Sequence, residues 1–552
     1  MATSRASLPT HVAAGSEVVV DVAIVGSGIA GLVTALDLLH ARPDATVVLI
    51  DKGALGESGS TPLAQGGLAA AVGPGDSPAL HAADTMRAGD GHCNPRAVAV
   101  MAAETPARVT DLRQRGSVFD TTADGTLALA REGGQSVHRS VRAADATGAE
   151  IFRALRTAAV EVGSARLIRL QGMAVSLVTA PTPDAPVTGL WLLCDQTPAG
   201  MASPSQEEGL VLVRVKAMML ATGGCGGLYA ATTNRDGATG DAVAMAGRVG
   251  AALHDLEFVQ FHPTGLRAAD GAQFQRFLLT EALRGAGAHL LDVDGRRFMP
   301  ERHPDAELAP RHIVAKAILD QPGGAWLDAR MIPAHQMAEE FPTVLHGART
   351  FGFDLQTEPV PVEPCEHYMI GGVATDLLAR TSVPRLYAAG EVAASGVHGA
   401  NRMAGNSLAQ SCVFAHRAAL DLAAVLPEAH VPVDPEPPAT GTDGDVDLGG
   451  LRRDLRLTMS QGAGAIRDGA GLDAARKRIE DVGVALASAW GGPNAPLRRD
   501  ALEAANMLVA ARAIIDSAAK REESRGVHFR SDFPDPVPAW AGRRQRVRLP
   551  AT

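Results

Sequence analysis

Cysteine is scarce in this 552-residue chain: Cys93, Cys194, Cys225, Cys365 and Cys412 are scattered, odd in number and form no CxxC pair. That distribution argues against a disulfide framework, a zinc site or an iron–sulfur cluster, and it fits a reducing, cytoplasmic compartment. Long apolar runs are absent too. Nothing approaches the roughly 20 residues needed to span a bilayer, so a membrane would be reached only through a partner. Residues 1–16 are small and polar, with no charged segment leading into an apolar one and no lipidation signal. They read as a disordered tail. Positive charge is in deficit: the formal net charge of −10 argues against nucleic acid as a partner. Small anionic ligands would then need local basic residues. No internal repeat is found.

What is present is length, enough for about two to four domains, and one organising stretch. From Val18 to Gly31 a β-branched run ends at Gly26, Gly28 and Gly31, and helical spacing begins at Ile29. In a strand, tight turn and helix, Gly26 permits the turn, Gly28 admits a pyrophosphate to the backbone, and Gly31 lets helix and strand pack. A second buried strand, 46–50, ends at Asp51, about 20 residues beyond the last glycine, where an acid would bind a ribose hydroxyl. Alone, a GxGxxG is equally a glycine-rich turn. With strand, helix and acid in register it predicts dinucleotide binding.

Further along, residues 58–72 are a dense run of small residues that lets backbone lie against a flat ligand, or else forms a flexible loop. A helical region is expected over about 82–115, and antiparallel strands over 165–215. A buried strand ending in Ala221-Thr222-Gly223-Gly224 supplies another phosphate-sized turn. Near Glu257 the Ala/Gly-rich texture gives way to aromatic, His, Arg and Pro residues. It returns at Gly371, so the nucleotide domain is discontinuous in sequence. The division expected is a tail at 1–16, a nucleotide domain at 17–256 and 371–426, and a capping and substrate domain at 257–370. A Pro/Gly/Asp-rich linker follows at 427–450, then a helical domain at 451–532 and a tail at 533–552.

Several longer motifs carry a family resemblance: Ala64-Gln65-Gly66-Gly67, Gln260-Phe261-His262-Pro263-Thr264, Leu279-Thr280-Glu281-Ala282-Leu283-Arg284-Gly285, Glu307-Leu308-Ala309-Pro310-Arg311, His398-Gly399-Ala400-Asn401-Arg402 and Glu523-Ser524-Arg525-Gly526. From about Val18 to Pro534 the chain resembles the succinate dehydrogenase/fumarate reductase flavoprotein superfamily. The resemblance implies a discontinuous α/β FAD-binding Rossmann-type domain, an α+β capping domain and a C-terminal helical bundle. It implies FAD in place of NAD. Ser27, Gly28, Ile29 and Ala30 would hold the pyrophosphate. Lys52, Ser60, Thr61, Ala64, Gln65, Gly66 and Gly67 would border the flavin and its linker, and Asp241, Glu391, Ser407 and Leu408 would complete the site. Membrane-bound relatives place a covalently flavinylated histidine where Ser60 stands, so the FAD is expected to be non-covalent. No metal is implied.

By the same resemblance His262, Thr280, Arg311, His367 and Arg402 surround a C4-dicarboxylate lying on the flavin. Physically, two guanidiniums can each take a carboxylate bidentately while hydroxyl and imidazole groups orient it. Taken singly, His262 is also readable as a core histidine and Arg402 as a helix cap. Glu132 separates the family's branches. Where dehydrogenases and fumarate reductases place an apolar aromatic, a carboxylate here can pair with the α-ammonium of L-aspartate, unless it is a solvated Glu beside Gly133-Gly134.

The activity expected is therefore oxidation of L-aspartate to iminoaspartate, Cα giving hydride to the flavin, with dioxygen or fumarate as electron acceptor. The alternative is a soluble fumarate reductase or succinate dehydrogenase flavoprotein subunit. Arg311 matches the family's proton-transferring arginine, with Glu281 and Arg284 as a relay and His367 as the other candidate. An arginine is a poor base at neutral pH unless its surroundings change that. The labile product implies a quinolinate synthase downstream, towards NAD.

Overall fold

Valine- and isoleucine-rich segments buried on both faces build the central sheet, as a sheet covered by helices requires. The computed structural model describes residues 17–54, 59–182, 185–194, 209–267, 274–438, 446–488 and 497–549. The expected tail at 1–16 and residues 439–445 of the expected linker lie outside them. Eight strands run in the order Glu17–Val19, Gly209–Arg214, Val187–Cys194, Leu167–Thr179, Val47–Asp51, Val22–Val25, Ala217–Leu220 and Leu386–Ala388. The five from Leu167–Thr179 to Leu386–Ala388 are mutually parallel, and the three segments over 167–214 pair antiparallel. The parallel edge strand, Leu386–Ala388, comes from beyond residue 371. Helices Ile29–Ala41 and Asn406–Val425 pack together in one apolar cluster with the sheet.

Residues 259–369 form a second body: the antiparallel sheet Val259–Leu266, Val360–Met369, Ala325–Asp328 and His289–Leu291, with its own core around Leu283, Leu327 and Val344. The first two strands slip register at Gln260/Phe261 and again between His262 and Gly265. Pro263, which has no N–H for the ladder, sits in the second irregularity, and such bulges re-aim side chains.

Three helices, Leu448–Gly462, Gly469–Ser488 and Arg499–Lys520, share one apolar cluster with the far face of the central sheet. Three details differ from the sequence reading. The helical region expected over 82–115 is two helices, Pro78–Ala88 and Pro95–Gln114, because Gly89, Gly91 and Pro95 break it. The first C-terminal helix begins at Leu448, inside the expected linker, capped by the Asp447 side chain on Gly450 N–H. The expected tail at 533–552 contributes a strand, Arg546–Val547, that pairs with Leu253–His254. Gln545 beside it is buried, donating to Glu257 and to the Ser517 carbonyl. Among the described residues no helix is long and apolar enough to cross a membrane.

Candidate functional site

A cavity of about 850 Å³ runs from the first strand-turn-helix to the cap. Its walls carry every residue singled out from the sequence except Gly31 and Arg284. Gly26 has φ +108°, and a Cβ there would lie 2.2 Å from the Ala221 carbonyl oxygen. At Gly31 a Cβ would lie 1.9 Å from the Gly26 carbonyl oxygen, so this glycine serves helix–strand packing and never reaches the cavity. Gly28 leaves its backbone open to the cavity, and the adjacent Ile29 N–H donates to Thr61 Oγ1 at 3.1 Å. Asp51 ends its strand on the cavity wall and accepts from the Ser27 hydroxyl and from Gly53 N–H.

Lys52 and Asp241 face the cavity but are bound to each other. Lys52 Nζ sits 2.8 Å from Asp241 and 2.9 Å from Glu503, and Asp241 also accepts from Asn506 at 2.9 Å. Burial works against the ammonium, yet these two carboxylates hold its pKa above the usual lysine range. Glu503 and Asn506 belong to the C-terminal helix Arg499–Lys520. That helix is therefore part of the cavity's scaffold, which no local pattern in the sequence indicates.

At the opposite wall Glu391 accepts from Met369 N–H at 2.8 Å, and burial, reinforced by the nearby Glu366 carboxylate, pushes its pKa up to about 8. Ser407 and Leu408 open the helix Asn406–Val425, whose N-cap, Gly405, is left-handed and offers no side-chain cap. The first amides thus present the positive end of a 20-residue helix to the cavity. Ser60 hydrogen-bonds Asn234 at 2.6 Å, and Gln65 donates to the Leu278 carbonyl at 2.8 Å.

The cap closes the other end. Arg402 and Arg311 both donate to one acceptor, Gln260 Oε1, at 3.2 and 3.3 Å. Gln260 in turn donates to Asn401 Oδ1 at 3.0 Å and to the Arg402 carbonyl at 2.9 Å. Arg402 lies 4.5 Å over the Tyr368 ring and reaches Ser407 at 3.1 Å. Burial and the neighbouring Arg311 lower its pKa to about 10. Such a pair of guanidiniums asks for anionic ligand groups. Arg311 opens the helix Arg311–Leu319 and pairs with Glu281 at 2.6 Å. Burial opposes the Glu281 charge, but Arg311 and Arg284 hold its carboxyl below the ordinary range. Arg284 stands behind Glu281 at 3.8 Å and donates to the Glu307 carbonyl.

His262 and His367 meet with ring centroids 5.1 Å apart. Burial, then the adjacent cations, drives both pKa values well below the usual histidine range, so both rings are neutral at pH 7. Thr264 N–H donates to His262 Nδ1 at 3.2 Å, which makes Nε2 the protonated nitrogen. His367 Nδ1 is hydrogen-bonded to Thr233 at 2.7 Å. Thr280 caps the helix Glu281–Gly285.

Glu132 is buried, not a solvated loop residue. Its Oε1 accepts Gly67 N–H at 2.7 Å, and burial raises its pKa against that hydrogen bond. The glycines around it allow close approach. A Cβ at Gly133 would lie 1.9 Å from Glu281 Oε1, and one at Gly66 would lie 3.1 Å from Glu132 Oε2. One cavity therefore holds a polar cradle for a dinucleotide at one end, and two guanidiniums, two neutral imidazoles and a buried carboxylate at the other. Sequence reasoning missed Gln260, although it stood in a quoted motif beside His262, and it missed Tyr368 and Asn234.

Residues 21–408 match the family model described as FAD binding domain, and residues 452–546 match fumarate reductase flavoprotein C-term. The chain is 44% identical over 539 residues to an L-aspartate oxidase of Streptomyces coelicolor, covering 95% of this chain and 90% of that protein. It is 41% identical to an L-aspartate oxidase of Caulobacter vibrioides, with 93% and 94% covered. Among solved structures, a quinol-fumarate reductase with menaquinol molecules superposes with a TM-score of 0.83 at 29% identity, covering 95% of both chains.

Proposed function

The chain belongs to the succinate dehydrogenase/fumarate reductase flavoprotein family, and from that premise we propose that it oxidises L-aspartate to iminoaspartate with FAD, the entry step to NAD biosynthesis. The residues fit the cofactor. Gly28 and Gly66 line the cavity with bare backbone, and Gly26 at φ +108° makes the turn against Ala221 that a side chain would block. The helix starting at Asn406 aims its amides into the cavity, Asp51 ends its strand on one wall, and Glu391 lies three residues beyond the strand Leu386–Ala388 on the other, where each can take a sugar or ribitol hydroxyl. When bound, FAD supplies two-electron acceptance from the substrate Cα.

The observation that carries the choice of substrate is Glu132, a carboxylate buried in the same cavity as Arg402 and Arg311. In this reading the two guanidiniums bind the two substrate carboxylates, which the neutral His262, donating from Nε2, and the Thr280 hydroxyl orient. Glu132 pairs with the α-ammonium. A site built for that charge binds succinate more weakly than L-aspartate, because Glu132 would be left buried and unpaired. Hence the amino-acid oxidase reading is preferred to a fumarate reductase or succinate dehydrogenase subunit.

Arg311, held at Nε by Glu281, carries the coupled proton, with Glu281 and Arg284 behind it leading towards Glu307. Electrons leave to dioxygen or to fumarate, the latter using the same two guanidiniums. The labile imine calls for a condensing enzyme, a quinolinate synthase, as its consumer.

The test is anaerobic flavin absorbance of the yellow protein. Addition of L-aspartate should bleach it, while D-aspartate and succinate leave it unchanged. Bleaching by succinate alone would move the protein to the dehydrogenase branch.

A further inference from the structure

We propose that Gln135 is a positioning residue for substrate choice: its side-chain amide fixes the distance between the carboxylate of Glu132 and the guanidinium of Arg402. The inference rests on the reading of Glu132 as the ammonium partner.

The loop that carries Glu132 is closed on itself by a turn, Gln135 N–H donating to the Glu132 carbonyl at 3.2 Å and Arg131 Nε to the Gln135 carbonyl at 2.8 Å. It leaves the short pairing of Leu129–Ala130 with Ser140–Val141 and contains Gly133 and Gly134, the latter at φ +83°. Two braces hold it. Asp84 grips its far side, accepting Ser136 N–H at 2.8 Å and the Ser136 hydroxyl at 2.7 Å, and pairing with Arg139 at 3.0 Å. That brace fixes the loop to the body of the protein and leaves Glu132 four positions away across two glycines.

Gln135 is the second brace and is only 2% exposed. Its Oε1 accepts Glu132 N–H at 3.0 Å. Its Nε2 donates to Ser140 Oγ at 2.8 Å and to the Ala404 carbonyl at 3.4 Å. Ala404 lies two residues from Arg402 and directly before Gly405, the cap of the helix Asn406–Val425. A single amide therefore spans from the backbone of the ammonium-binding residue to that of Ala404, two residues beyond the carboxylate-binding Arg402, which is 270 positions from Glu132 in sequence. The α-carboxylate and α-ammonium of an amino acid are separated by a fixed covalent geometry, so a site that engages both must hold its two charges at a set distance. A dicarboxylate lacking the amino group has no such requirement of Glu132.

The experiment uses the FAD-loaded enzyme and two variants: Gln135→Met, similar in size without any of the three hydrogen bonds, and Gln135→Glu, which is isosteric but as a carboxylate cannot donate to Ala404. KM and kcat are measured for L-aspartate, and the inhibition constant for succinate. We expect the aspartate KM to rise about tenfold, the equivalent of one lost hydrogen bond, with succinate inhibition unchanged within about twofold and the flavin spectrum retained. A general structural role would weaken both ligands together, and that result, or no change in either, overturns the proposal. Glu132→Gln is run in parallel. If it leaves aspartate KM unchanged, the Glu132 reading fails; if it raises KM while the Gln135 variants do not, only the present inference fails. Should the Gln135 variants not retain FAD, Gln135→Asn, whose amide is one methylene shorter and cannot span both partners, is measured in their place, and the absence of an aspartate-selective rise there is equally decisive.

Discussion

Replacing Glu503 by glutamine should weaken cofactor binding although the residue sits on the C-terminal helix. Glu503 Oε1 lies 2.9 Å from Lys52, and its Oε2 lies 2.9 Å from Arg452. Side-chain exposures are 19% for Lys52, 14% for Arg452 and 11% for Glu503, so solvent screens little of the interaction. Breaking a buried pair costs about 3–5 kcal/mol. Here each cation keeps one other carboxylate, Asp241 for Lys52 and Asp236 for Arg452. The expected loss is therefore smaller, about 2 kcal/mol. Since Lys52 and Asp241 both wall the cavity, part of that loss should appear as an FAD dissociation constant raised about tenfold. The assay is quenching of FAD fluorescence on titrating apoprotein, set in a double-mutant cycle with Lys52→Met. A coupling energy of about 1–2 kcal/mol is expected. Additive effects, or an unchanged FAD affinity in Glu503→Gln, would refute the idea that the C-terminal helix braces the cofactor wall.

Three further outcomes follow from the geometry. Arg311→Leu should retain FAD but lower kcat for aspartate by about 10³-fold, the scale of general acid–base catalysis; near wild-type turnover would move proton transfer to His367. Glu366 is fully buried, its Oε1 has no partner, and burial raises its pKa from 4.5 to about 7. The folded value exceeds the unfolded one, so the stability it contributes is complete below about pH 4.5 and is lost as pH rises through about 7. Thermal midpoints of the holoenzyme should fall across that window, and Glu366→Gln should flatten the fall; parallel profiles would exclude Glu366 as its source. Gly526, at φ +52°, places its backbone where a Cβ would lie 2.2 Å from the Ala400 carbonyl oxygen. Gly526→Ala should therefore displace the segment carrying Arg402 and raise aspartate KM about tenfold with FAD retained, and an unchanged KM would show that this contact does not position the arginine.

The residues around the site were legible in the sequence wherever a short stretch carries its own geometry. The strand-turn-helix at 22–41, Asp51 at the end of the next strand, and the glycines at 66 and 67 stand in the structure where local spacing placed them. Glycine at a turn, alternation in a buried strand and a helix start are nearest-neighbour properties, so reading along the chain recovers them. Lys52 lay on the expected wall, but its partners did not follow from its neighbours. The expected tail contributes a short strand, because Arg546–Val547 finds its partner at Leu253–His254.

By itself the sequence determined the nucleotide fold, the family and the residue types that line the cavity. Tertiary structure alone decided the pairings that set distance and charge: Gln260 between Arg311 and Arg402, Gln135 between Glu132 and Ala404, and Glu503 against Lys52. Each joins residues from distant parts of the chain, brought within hydrogen-bond reach by the packing of the cap, the central sheet and the C-terminal helices. No periodicity encodes such a meeting, because it depends on how whole elements bury their apolar faces against one another.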